Sequence, residues 1–282
     1  MQEARVLTHP AFARRRFREI AGRPVVDLVE ASLIIALEDT PGLEIDRYLQ
    51  KVGEWSDAIR ERLEGSREIE RIVETINRLL FEQEGFHGED GDYYDPRSAL
   101  LNETLDKHAG LPIALSILYI EISRRVGVEA VGVSLPGRFL VKFSGAFGEI
   151  VVDPFEGGRV LSTIELQKLL DGVYGGGVRL REHHLRSFSS REILARELAQ
   201  LKAAYLARHD LPRAAASIDR LLILDQNDPY ELHDRASIAV QMHQYGQAIE
   251  LFERYLALAP HATDIVRVRE QIAWLRAWLE QN

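Results

Sequence analysis

Residues 110–127, GLPIALSILYIEISRRVG, limit the fold more than any other stretch of the chain. The run is apolar on nearly every side, so a helix made from it has no face to leave in water and must sit inside a packed domain. It falls short of the roughly 20 uninterrupted apolar residues of a membrane span. Pro112 suits a first helical turn, where its missing N–H costs nothing. Three short segments follow, Ala130–Val133, Arg138–Phe143 and Glu149–Asp153, rich in β-branched or aromatic residues and separated by Pro136-Gly137 and Gly145–Gly148. They predict an antiparallel meander. A buried helix laid on a small antiparallel sheet is an α+β core.

Ahead of that core, apolar residues recur at helical spacing from Pro24 to about Glu84. Breaks at Thr40-Pro41-Gly42 and Gly65-Ser66 divide this part into three helices. Trp55 falls in the apolar stripe of the second and reads as core rather than as a platform for a ligand. No chemistry shows in the three. The next stretch, FHGEDGDYYDPRSALLNETLDKHAG, carries Gly88, Gly91 and Pro96 and predicts a shaped surface loop without regular elements, with Tyr93 and Tyr94 packed beneath it. Its acids, Glu89, Asp90, Asp92 and Asp95, lack the spacing of a calcium loop.

Beyond Gly175-Gly176-Gly177 the chain turns helical again at Ser189, where Glu192 completes a capping box. Leu211-Pro-Arg-Ala214 and Tyr245-Gly-Gln-Ala248 stand 34 residues apart, as do Ile218 and Phe252, Leu222 and Leu256, and Leu224 and Leu258. A 34-residue period closed by Pro260 is the tetratricopeptide signature, and two such units with a capping helix over 264–280 make a short solenoid. The expected division is an N-terminal helical part over 1–90, an α+β core over 91–185 and an all-α repeat region over 186–282.

Composition narrows the function. The chain carries 35 Lys and Arg against 44 Asp and Glu, a net charge of −9, the wrong sign for general phosphate binding, so nucleic acid is not an expected partner. The basic cluster Arg14, Arg15, Arg16 and Arg18 reads as a solvated helix face. Neither a membrane span nor a signal-peptide apolar stretch is present, which predicts a cytoplasmic protein. With 0 cysteines, disulfides, thiolate zinc sites and a thiol nucleophile are excluded. His183 and His184 are adjacent and diverge, with no further ligand spaced to join them, so neither a metal nor a cofactor is expected.

The segments FHGEDGDYYDPRSALLNETL, GLPIALSILYIEISRRVG, GVSLPGRFLV and VVDPFEGG, followed by the repeats, resemble the SirB1 family of bacterial proteins, which joins a transglutaminase-like core to tetratricopeptide repeats. The resemblance runs from about Asp27 to the C-terminus. It implies a papain-like arrangement: a Cys at the start of the central helix, a His on the following strand and an Asp on the next. In such a triad the imidazole activates the thiol, and the carboxylate fixes the imidazole's tautomer. In this chain the nucleophile position falls near Pro112, and the His position of the family's PGHF-like strand is Arg138. Only Asp153 matches. A guanidinium stays protonated and cannot act as a general base. The remnant positions therefore predict an Arg138–Asp153 ion pair occupying the old site.

Two functions remain open at this stage. The first is a non-catalytic pseudoenzyme whose repeats act as a scaffold for a protein or peptide. Its groove-facing positions are Arg196, Ala199 and Ala203 in the first unit and Tyr230, His233 and Ser237 in the second. The second is a hydrolase or acyltransferase with a non-cysteine nucleophile. For it, Ser116 lies one helical turn after Pro112 and His108 one turn before, on one face. A serine within an apolar helix more often bonds the carbonyl of the preceding turn. A pocket near Arg138, Asp153 and Asn102 would still hold an anionic or carbonyl group without transforming it.

Overall fold

Among the described residues the first four helices are α1 (Pro10–Ala21), α2 (Leu28–Ala36), α3 (Ile45–Leu63) and α4 (Ile69–Asn77). This computed structural model describes residues 10–89, 94–145 and 148–281, in two compact units, Met1–Glu197 and Leu198–Asn282. Asp27 caps α2 by accepting the Glu30 N–H at 2.8 Å, and α4 continues into a π-helical turn over Arg78–Gln83.

The stretch expected to be an irregular loop holds regular elements instead. β1 (His87–Gly88) pairs in parallel with β2 (Ala109–Gly110), and between them lie α5 (Pro96–Ala99) and α6 (Leu101–Lys107). The physical reason is Asp95, whose carboxylate accepts the Arg97 N–H at 3.0 Å. That cap places Pro96 at the first helical position, so the apparent breaker is a start signal. Leu101, Thr104 and Leu105 give α6 its buried face. Tyr94 is 50% exposed rather than packed beneath a loop. Asp90, Asp92 and Tyr93 lie outside the described residues.

The apolar run forms α7 (Pro112–Arg125), buried without a break from Ile113 to Ser123. Each of its large apolar side chains contributes roughly 1.5–3 kcal/mol by leaving water. Next come β3 (Ala130–Leu135), β4 (Arg138–Gly145), β5 (Gly148–Asp153) and β6 (Arg159–Leu161), an antiparallel meander in sequence order. Gly137, at φ +75, makes the turn between β3 and β4. The fourth strand and α8 (Thr163–Tyr174), with its Ser162–Glu165 capping box, extend the meander read from the sequence. One face of the sheet packs on α7. The helix's buried acid, Glu121, accepts the Leu28 N–H at 3.1 Å and pairs with Arg125, which also binds Asp27 at 2.7 Å. Burial, with Asp27 nearby, raises the Glu121 carboxyl above its ordinary range.

At α9 (Ser190–Ala207) the Ser189 and Glu192 side chains cap each other's backbone N–H at 3.3 and 2.9 Å. The division between the units falls within this helix, after Glu197. The second unit continues with α10 (Leu211–Leu224), α11 (Pro229–Gln241), α12 (Tyr245–Leu258) and α13 (Ile265–Gln281). The 34-residue period recurs in the backbone. His209 and His243 end their helices at φ 56 and 59. Small residues at Ala236, Ala239 and Ala248 let the helices approach closely around Phe252, Val268 and Leu275. No helix among the described residues is long and apolar enough to cross a membrane.

Candidate functional site

Asp153 ends β5 and opens a tight helical turn over Pro154–Glu156. Its carboxylate, 1% exposed, accepts the Phe155 N–H at 3.0 Å, and the Gly158 N–H returns to the Asp153 carbonyl at 2.9 Å. Gly158, at φ +78, cannot be anything larger: a Cβ there would meet Asn77 Oδ1 at 2.0 Å. Asn77 donates to the Gly158 carbonyl at 2.7 Å and accepts the Tyr119 hydroxyl at 2.9 Å. The segment DPFEGG is thus a turn clamped to α4 and α7, and its effect is to fix the Asp153 carboxylate.

Arg138 opens β4 beside this turn. Its Nε lies 3.7 Å from Asp153 Oδ2, and its Nη2 donates to Glu156 Oε1 at 2.7 Å. The guanidinium carbon stands 4.6 Å from the centre of the Phe155 ring. The cation is therefore shared: its short bond goes to Glu156, with a longer Coulomb contact to Asp153. Burial raises the Asp153 carboxyl, outweighing the opposite pull of Arg138 and the backbone N–H groups. Sequence reasoning missed Glu156, though an acid three residues after Asp153 on a turn that Pro154 starts was the available signal. Arg138, Asp153 and Glu156 line a cavity of about 350 Å³ together with Arg159, Glu165 and Lys168.

Asn102 does not line that cavity. It lies buried on α6, which packs on α2, β2 and α7, and its Oδ1 has no hydrogen-bond partner among the described residues. Pro112 is the first residue of α7, behind Leu111. Ser116 is buried and donates to the Phe139 carbonyl at 2.8 Å, which ties α7 to β4, instead of bonding the preceding turn. His108 is not one helical turn below Pro112. It terminates α6 at φ 54, its Nδ1–H donates to the Glu84 carbonyl, and its ring stacks on Phe86 at 4.5 Å. The Ser116–His108 spacing assumed one continuous helix, and β2 interrupts it.

In the repeats, Ala199, Ala203 and Ser237 are half-buried, and Arg196 is half-buried in the first unit. Tyr230 is 79% exposed at the start of α11, where Asp228 caps the helix. His233 is engaged: its Nε2 lies 3.3 Å from Asp264, and its ring packs against Tyr255. His183 and His184 sit on a short turn, and His184 Nδ1 accepts the Arg181 N–H at 2.9 Å. Among the described residues no cluster of His, Asp and Glu is arranged to hold a metal.

The transglutaminase-like superfamily profile matches residues 46–199, and a tetratricopeptide repeat profile matches 201–273. A UPF0162 protein of Xylella fastidiosa is 35% identical over 245 residues, covering 85% of this chain and 87% of its own. One from Vibrio cholerae is 28% identical over 84% of this chain and 87% of its own, and one from Pseudomonas aeruginosa 29% over 88% and 90%. No solved structure matches the chain. With its clamped DPFEGG turn, its buried central helix and its repeats, the chain belongs to the SirB1-like UPF0162 family, in which a transglutaminase-like domain is followed by tetratricopeptide repeats.

Proposed function

We propose that this protein is a non-catalytic binding protein: its repeats engage a protein or peptide partner, and its core keeps the transglutaminase-like shape without the reaction. The observation that carries this reading is the Arg138 guanidinium, at the position where the family resemblance implies a general base, committed to Glu156 and Asp153. A permanently protonated group cannot take a proton from a nucleophile. The chain has 0 cysteines, and the hydroxyl of Ser116 is buried and spent on the Phe139 carbonyl. On the binding side, Tyr230 is a large amphipathic side chain left 79% exposed on a repeat helix, a residue type enriched at interaction hot spots.

The test has two arms. A fluorophosphonate probe should label the purified chain no more than it labels the Ser116→Ala variant, and the chain used as bait should recover a stoichiometric partner from native extract that Tyr230→Ala loses. Labelling that depends on Ser116 would overturn the non-catalytic reading. A partner retained in full by Tyr230→Ala would move the binding surface off α11.

A further inference from the structure

A second cavity in the first unit, of about 430 Å³, lies between α3 and the end of α6. Its size is that of a small-molecule site. The wall from α3 carries Arg47, Tyr48, Lys51 and Trp55, and the facing wall carries Asp106 and His108. The two cations have no carboxylate at ion-pair distance among the described residues. Each lies instead over an aromatic ring: Arg47 5.9 Å from the centre of Tyr48, and Lys51 5.2 Å from that of Trp55. The two acids of the lining are already bonded: Asp106 accepts the Tyr48 hydroxyl at 2.8 Å, and Glu54 accepts from Gln50 at 3.0 Å. Burial and Asp106 push the Tyr48 phenol up to about 12, so it remains a donor to that carboxylate.

Trp55 is 4% exposed and gives the cleft a buried aromatic wall, with Lys51 resting over its ring. Two cations without a carboxylate partner among the described residues, each beside a ring of the lining, leave the cleft short of a negative group.

We propose that this cleft binds a small organic anion, a carboxylate or phosphate ester, whose charged group is held by Lys51 and Arg47. The ring faces of Tyr48 and Trp55 supply an apolar body contact, and the hydrogen-bonded Asp106 and Tyr48 fix the wall against which the ligand rests. The site is separate from the Arg138 cavity and does not depend on the repeats.

The chain has 3 tryptophans, so its indole N–H groups give a small set of nitrogen-15 NMR signals, with that of Trp55 assigned through Trp55→Phe. Benzoate, phenyl phosphate and inorganic phosphate are each titrated to about 10 mM, which detects binding as weak as millimolar. The Trp55 signal should move saturably with benzoate or phenyl phosphate, while the signals of Trp274 and Trp278 stay in place. Whichever of the two acts at lower concentration identifies the carboxylate or the phosphate class. Lys51→Met and Arg47→Met should each weaken that response about tenfold, as expected for one charge-assisted contact. Both residues are exposed, and backbone amide signals of the first unit that keep the parent's dispersion report that the variants fold. Three outcomes would overturn the proposal: no saturable movement of the Trp55 signal, an equal response to inorganic phosphate, or an affinity that Lys51→Met leaves unchanged.

Discussion

Two cavities of the first unit, those of about 350 and 430 Å³ beside Arg138 and Lys51, hold their cations in opposite conditions. Around Arg138 the positive charge meets Asp153, Glu156 and the Phe155 ring. Around Arg47 and Lys51 it meets rings and no carboxylate among the described residues. The difference follows from water. Asp153 is 1% exposed, so its charge is tolerated only beside a cation and within a cage of backbone N–H donors. Arg47 and Lys51 are exposed and keep their charge by hydration. A paired cation secures a turn, whereas an unpaired one stays available to a ligand.

Glu197 shows the third condition, a buried acid with no cation beside it among the described residues, and it gives the largest expected effect. It is fully buried, one oxygen accepts the Ser32 hydroxyl at 2.7 Å and the other has no partner among the described residues. Burial pushes its carboxyl up to about 8 from an ordinary 4.5. Between those values the folded chain holds a proton that the unfolded chain has lost, so stability falls as pH rises through this window and levels off above it. The linked loss is roughly 4 kcal/mol between about pH 5 and pH 8. Thermal unfolding along that range should show the slope in the parent and a flatter profile in Glu197→Gln. Equal slopes in the two proteins would mean that Glu197 does not carry a proton.

The next effect breaks the paired cavity. Asp153→Ala removes the acceptor for the Phe155 N–H and leaves Arg138 with Glu156 alone. The expected destabilisation is about 3 kcal/mol, the scale for removing one member of a buried pair. Asp153→Asn keeps an oxygen for the turn and loses only the charge, so it should cost less. Urea unfolding of the two variants separates the cap from the charge. If both cost the same, the turn depends on the ion pair and the cap contributes nothing.

Legibility in the sequence followed the range of the signal. The central helix, the first three strands of the meander and the repeats were readable because an apolar run, β-branching between Gly and Pro, and a 34-residue period are written along the chain. The helices after Asp95 were not, because Pro96 reads as a breaker until the Asp95 cap is seen to place it at a first turn. At the site, Arg138 and Asp153 came from the family resemblance, while Glu156 joins them only through the geometry of a turn held by Asn77 and Gly158. In the second cavity Lys51 and Trp55 stand four residues apart on α3, yet Trp55 read only as core and Lys51 gave no signal. The opposite wall was not visible, since Asp106 lies 58 positions from the Tyr48 it binds.

The smallest effect sharpens the comparison most. Lys51 lies exposed over the Trp55 ring and compensates no buried charge. Lys51→Met keeps most of the side-chain stem on the indole and removes only the ammonium, so stability should change by less than about 0.5 kcal/mol. Urea midpoints for Lys51→Met and the parent check this, set beside the Asp153 variants measured in the same way. A loss of several kcal/mol would mean that the ammonium has a structural counterpart and that the second cleft resembles the first. A near-zero change, beside the large cost of Asp153→Ala, would mean that the fold does not need this cation, which leaves its charge free for recognition.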